Sequence, residues 1–373
     1  MSGFHCAHAS RASWRECVDT CVAQLAGAGG GLGFVYFTDA LEAHAEAIVA
    51  ALRERTGIVD WVGTVGMGIV ASGVEYMDEP ALAVMVTDLR AGQYRVFSGR
   101  SRVPDDPGAA HFAVVHADPN TPDVAALVAD MSSKVESGYL VGGLSSSRGR
   151  SVQVAQDVIS GGLSGVVLSR DVGVTTRLTQ GCTPLHSATT GAVLRHRVTE
   201  CDANVLITLD GRPALDVFRE DIGEVLARDL ERAAHFIHVG LSVAGSGQAE
   251  RRSDGDYLVR NLVGIDSRRK LIAIGDLAER GSEILFCKRD ASTARDDLGR
   301  ILGELRAAIA APPRGALYFS CVGRGEHMFG RRGAELEQIR DSLGELPLVG
   351  FFCNGEISHD RLYGYTGVLT LFH

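Results

Sequence analysis

Lysine is almost missing from this chain of 373 residues. Of 37 basic residues only Lys134, Lys270 and Lys288 are lysine, set against 46 acidic ones for a net charge of −9. That balance excludes a general nucleic-acid binder and a polybasic membrane patch, and the arginine excess reads as codon usage before it reads as phosphate recognition. No stretch approaches the roughly 18 to 20 uncharged apolar residues needed to cross a bilayer. The N-terminal MSGFHCAHASRASWREC lacks the basic and apolar regions of a signal peptide. A cytoplasmic protein without a membrane partner is the expectation. The eight cysteines are scattered with no C-x-x-C pair, which excludes a small disulfide scaffold and leaves free thiols. With 45% hydrophobic and 22% charged residues the chain is globular, and its 45 glycines, against about 7% in average usage, predict many tight turns.

Self-similarity organises what is present. Phe34-Val35-Tyr36-Phe37 reads as a strand, and Asp39 with Glu42 three residues on reads as a capping box opening a helix whose apolar face is Leu41, Ile48, Val49 and Leu52. Further apolar runs follow at Val62-Gly63 and at 81–86. The order returns with strand 112–116, a helix from Thr121-Pro122, a second strand ending Val141-Gly142-Gly143 and a third at 165–168. It returns again with strand 317–321, a helix carrying Leu336, Ile339 and Leu343, a strand through Val349-Gly350 and a last strand at 367–371. Three strand-helix-strand-strand units predict an α/β fold of mixed sheets in two domains.

A different stretch separates the second and third copies. It contains a helical segment at 216–234 and two strands, 257–265 and 270–274, joined by the turn Asp266-Ser267-Arg268-Arg269. Turn residues at Asp210-Gly211-Arg212-Pro213 place a boundary there. The reading is residues 1–30 as an N-terminal helix and glycine-rich joint, 31–210 as one domain and 211–373 as another.

Candidate chemistry concentrates near the C-terminus. The run Gly27 to Gly33 precedes a strand rather than following one, so it is no phosphate loop. Gly323-Arg324-Gly325 follows a strand and precedes a helix, but Met328 stands where a dinucleotide fingerprint needs glycine. What remains is a loop with Arg324, Glu326, His327, Arg331 and Arg332 near helix-start amides, suited to a carboxylate. Asn354-Gly355-Glu356 follows the next strand and would place an acid beside that arginine, in one cleft. Cys321 near Glu326 and His327 offers a nucleophile and base, against the commoner reading of a small buried core residue. His5, Cys6 and His8 lack the paired spacing of a zinc site.

The segments ALYFSCVGRG (316–325), Phe329-Gly330, Glu335 and PLVGFFCNGEI (347–357) resemble the C-terminal domain of the FIST family, as does YLVRNLVGI (257–265). Upstream, VGGL (141–144), GLSGV (162–166) and QGCTP (180–184) resemble the FIST N-terminal domain. The resemblance implies a sensory, ligand-binding module of signal transduction, working beside partners such as histidine kinases or cyclic-dinucleotide enzymes and binding small molecules such as amino acids, with no enzyme activity. Carried onto this chain, its matching positions are Cys321, Gly323, Arg324, Gly325, Glu335, Gly350, Gly355 and Glu356, with Arg260 and Asn261, and Asn354 lies among them. No cofactor is expected on this reading. A variant implied by some family members is a haem b protein that senses nitric oxide and controls a histidine kinase, for which His186, after QGCTP, is the axial candidate. A cysteine-dependent enzyme built on Cys321 is the third class. Only some 30 residues precede the first strand, which disfavours an F-box adaptor.

Overall fold

A computed structural model describes residues 3–25, 27–99, 110–242 and 257–373. It is a mixed α/β protein whose chain divides into two compact units, Met1–Thr179 with Arg295–His373, and Gln180–Ala294. The first unit holds all three copies. In each, a first strand pairs in parallel with the strand that follows its helix and antiparallel with the last strand of the copy. Leu32–Thr38 lies between Asp60–Gly66 and Ala81–Thr87; Phe112–Ala117 lies between Tyr139–Leu144 and Leu163–Leu168; Gly315–Cys321 lies between Leu348–Cys353 and Thr366–Phe372. The copies' helices are Ala45–Thr56, Val124–Ser133 and Ala334–Leu343.

The recurring Val-Gly pair has a steric cause. A Cβ at Gly63, Gly142 or Gly350 would overlap the carbonyl oxygen of Val35, Val115 or Tyr318 respectively, the corresponding residue of the adjacent first strand in each copy. Only glycine allows the parallel strands to close there. Alternation along the strands then separates two cores: Phe34 and Tyr36 face one cluster, Val35 and Phe37 the other, where the outer helices pack.

Each copy also gives away a hairpin. The strands Gly68–Ala71 and Val74–Met77 of copy one extend the sheet of copy three at Leu348–Cys353. Gln153–Ala155 and Asp157–Ile159 of copy two extend copy one at Asp60–Gly66, and Glu356–His359 with Arg361–Tyr363 of copy three extend copy two at Tyr139–Leu144. The donation is cyclic. The three sheets share one apolar core, in which the equivalent residues Tyr36, His116 and Phe319 meet, with ring centroids 5.6 to 6.2 Å apart. Tyr36 and Phe319 are wholly buried, a stabilisation of about 1.5–3 kcal/mol for a side chain such as phenylalanine.

Several local expectations change. The N-terminal 30 residues contain a strand as well as a helix: His5–Ser10 pairs with Ala81–Thr87, and Trp14–Gln24 packs Cys17, Val18 and Cys21 inward. Asp39 and Glu42 do not form a capping box. Thr38 makes no cap hydrogen bond, a 3-10 turn Asp39–His44 leads into the helix, and the two carboxylates are held by Arg148 and Arg150. Arginine wins because a bidentate ionic contact outweighs a single backbone cap.

The second unit is a nine-stranded sheet. The helical segment is split into Ala214–Ala227, kinked at Gly223, and Leu230–Phe236. Phe218, Val198, Val239, Ile272 and Phe286 form its core. The expected hairpin is Leu262–Asp266 with Leu271–Ile274, while Tyr257–Arg260 pairs separately with Ile237–Ser242.

Candidate functional site

Arg324 follows the Gly315–Cys321 strand and is wholly buried, the largest such side chain after Trp61. A buried guanidinium needs a counter-ion, and Glu335, in the first turn of the Ala334–Leu343 helix, supplies it: Arg324 Nε and Nη2 donate to Glu335 Oε1 at 3.0 and 2.7 Å. The same carboxylate accepts from Tyr318 Oη at 2.6 Å, from Ser320 Oγ at 3.2 Å and from the Gly325 amide at 3.2 Å. Strand, loop and helix are clasped by one ion pair. The Arg324 ring contact with Phe329, 5.4 Å from the centroid, closes another side.

The helix-start amides that would receive a carboxylate already have one. Glu75, from the hairpin donated by copy one, accepts from the Glu326 amide at 3.2 Å and the Gly333 amide at 2.9 Å. Burial pushes the Glu75 carboxyl up, opposed by those two backbone bonds. Gly325, at φ +56°, is glycine because a Cβ would reach Glu75 Oε1 and the Phe352 ring. No sequence signal around Glu75 announces this role, since its partners lie some 250 residues away.

Glu356 opens the hairpin donated by copy three and is also wholly buried. Its Oε2 accepts from the Thr366 amide at 3.1 Å and from Thr366 Oγ1 at 2.7 Å. Burial pushes the carboxyl up to about 8, opposed by the Thr366 bonds, the Arg324 charge and the Cys321 thiol. That shift favours the neutral acid at neutral pH, with Oε2 occupied as an acceptor. Arg324 and Glu356 are electrostatic neighbours, yet Arg324 Nη1 and Glu356 Oε1 have no hydrogen-bond partner among the described residues. The pair expected to line an open cleft as opposite charges is instead an enclosed centre, in which Glu335 neutralises the arginine.

Cys321 is buried beside Glu356, whereas Glu326 and His327 are exposed and Glu326 pairs with Arg332 at 3.0 Å. The sequence-adjacent thiol, acid and imidazole thus do not form a nucleophile and base. Cys353, opposite Cys321 in the parallel register, is wholly buried and its thiol is pushed well up by desolvation. Gly323 lies in the same turn, and Asn354 is exposed. Arg260 and Asn261 belong to the second unit, where Arg260 Nε donates to Asp276 at 2.7 Å and the Asn261 carbonyl accepts from the Gly275 amide. His186, also in the second unit, is exposed and bridges to Val193, with exposed Ala188, Thr189 and Thr190 after it. An axial haem ligand needs an apolar slot around it, and His186 does not fit that role. Among the described residues no group of three or more His, Cys, Asp or Glu side chains is placed to hold a metal ion, and no helix is long and apolar enough to cross a membrane.

Comparison with known proteins agrees with the resemblance seen in the sequence. The FIST N domain matches residues 31–212 and the FIST C domain matches residues 214–359. That division differs from the compact units, because the chain returns after Ala294 to complete the first unit with copy three. The uncharacterized protein Rv0628c of Mycobacterium tuberculosis is 30% identical over 348 residues, covering 87% of this chain and 86% of that protein. The uncharacterized protein Mb0898c of Mycobacterium bovis is 30% identical over 374 residues, covering 94% and 92%. With both domains matched over most of its length, the chain belongs to the FIST family, whose domains are associated with sensory roles in signal transduction.

Proposed function

We propose that this protein is a cytoplasmic small-ligand sensor without a catalytic step of its own, taking the carboxylate end of a metabolite such as an amino acid at the Arg324 and Glu356 centre. It would pass the signal by contact to a partner such as a histidine kinase or a cyclic-dinucleotide enzyme. The observation that carries this reading is the pair of unpartnered buried atoms, Arg324 Nη1 and Glu356 Oε1. One is a fixed donor and the other belongs to a carboxyl that burial shifts toward its neutral, proton-donating form, so a group with lone pairs suits both, and a buried donor left unpaired costs about 1–3 kcal/mol. Because Glu356 begins a hairpin that belongs to copy three but completes the sheet of copy two, a guest there acts on two copies at once. Binding shifts the conformation only by its differential affinity for the two arrangements.

The internal repeat supplies the test. Residues equivalent to Glu356 are Ile69 in copy one and Gln153 in copy two, each opposite the residue after the Val-Gly pair. Thermal-shift measurements with a panel of amino acids and small carboxylates should show stabilisation by at least one of them. Glu356→Gln should keep part of that stabilisation, and Glu356→Ile should remove it. A panel without effect, or an Ile variant that responds like the parent, rejects the centre as the ligand site.

A further inference from the structure

Away from that centre, the junction between copies one and two forms a half-open hollow of about 420 Å3, within the roughly 300–1,000 Å3 range of small-molecule sites. Its walls come from the Ala45–Thr56 helix, from the 153–159 hairpin that copy two donates with the residues flanking it, and from a polar side of Ser98, Gly99, Ser160 and Gly161. Val152, Val158 and Ile159 make an apolar side, and two opposite charges, Glu46 and Arg150, line the same space. Glu46 is exposed and has no hydrogen-bonded or ion-paired partner among the described residues. Arg150 is tied at one edge, its Nε to Glu42 Oε1 at 2.5 Å and its amide to Glu42 Oε2 at 3.4 Å. Its two terminal nitrogens have no partner among the described residues. Arg150 and Glu46 therefore share a hollow without bonding each other.

We propose that this hollow binds a small zwitterion with an apolar tail, of the size of an amino acid or dipeptide, its ammonium on Glu46 and its carboxylate on the terminal nitrogens of Arg150. Three features select that class. Glu42, Glu46 and Arg150 together carry one net negative charge, so a cationic group is the required part of the guest. The free nitrogens of Arg150 form the fork that matches a carboxylate. The apolar side rewards a hydrocarbon tail by about 25 cal/mol per Å2 removed from water. A guest held this way pins the donated hairpin of copy two to the helix of copy one, which couples occupancy to the exchange that builds the unit. The site is independent of Arg324 and Glu356.

Isothermal titration of the full chain with L-leucine, L-phenylalanine and L-leucyl-glycine tests it, with phenethylamine and N-acetyl-L-phenylalanine as the arms that separate the two charges. At least one zwitterion should bind, phenethylamine should bind more weakly, and the N-acetyl compound should not bind. Glu46→Gln, an exposed change that leaves the fold intact, should weaken the zwitterion about ten- to hundredfold, the range for a charged hydrogen bond. Arg150→Gln should weaken the zwitterion while leaving phenethylamine unchanged. The proposal is overturned if none of the three zwitterions binds, or if binding survives Glu46→Gln undiminished. Binding that survives Glu46→Gln but is lost in Glu356→Ile would also overturn it, and would leave the interior centre as the site. The reverse pattern, binding lost in Glu46→Gln and kept in Glu356→Ile, supports the hollow.

Discussion

Two junctions of the same kind, each a helix of one copy meeting the hairpin of another, are finished in opposite ways. Where the Ala334–Leu343 helix meets the hairpin of copy one, Glu75 is inserted against the Gly333 and Glu326 amides and Glu335 closes on Arg324. Where the Ala45–Thr56 helix meets the hairpin of copy two, Glu46 lines a hollow and Arg150 is only half engaged. The first junction is filled by the protein's own carboxylates, with only Arg324 Nη1 left over, and is a fastening. The second keeps its charged groups in water, where they contribute little to folding and stay available. Architecture alone does not distinguish them; the partners of each charge do.

The largest way to break that contrast is at the fastening. Arg324→Ala leaves Glu335 buried without a counter-ion and should lower stability by about 3–5 kcal/mol, whereas Arg150→Ala at the exposed junction should change it by less than about 1 kcal/mol. Urea unfolding of the two variants measures both. Similar losses would show that the two junctions are held in the same way.

The second effect depends on pH. The folded Glu356 carboxyl lies near 8, above its ordinary unfolded value of about 4.3, so between those values the native state binds more protons than the unfolded one and stability falls as pH rises. Its contribution is complete below about pH 4 and is lost as pH passes through 8, with a slope of at most about 1.4 kcal/mol per pH unit. Denaturation midpoints taken from pH 5 to pH 8.5 should decline for the parent more steeply than for Glu356→Gln; parallel curves would mean that the carboxyl is already ionised.

The smallest effect concerns Glu75. Glu75→Gln keeps one acceptor for two amides and should cost about 1–2 kcal/mol, read as a lower melting temperature. A variant as stable as the parent would show that the inserted carboxylate is dispensable.

Much of this arrangement is visible in the residues, and the rest is not for a definable reason. The three strand-helix-strand-strand copies and their Val-Gly pairs are local patterns, set by alternation and by one steric contact between strands that follow each other closely. The cyclic exchange of hairpins depends on which distant edge a strand joins, and strands such as Gln153–Ala155 carry no mark of that choice. The Arg324 loop has the composition of an anion site, and its failure to be an open one comes from Glu75, remote in sequence. The intervening unit looks like the start of a C-terminal domain because turn residues cluster at 210–213; that it is inserted within copy three follows only from Val174–Gln180 and Thr366–Phe372 sharing a sheet. The serine, glycine and arginine loop at 145–150 is legible as a loop, but the half-engaged state of Arg150 is a matter of geometry.

The circular lending of hairpins also bears on how the first unit comes into being on the ribosome. Nascent copy one emerges with its sheet short of strands that have yet to be translated, and its own hairpin waits for a host encoded far along the message. The ring cannot be closed before Arg361–Tyr363 has been synthesised, so most of the third repeat must leave the ribosome before the exchange can be completed.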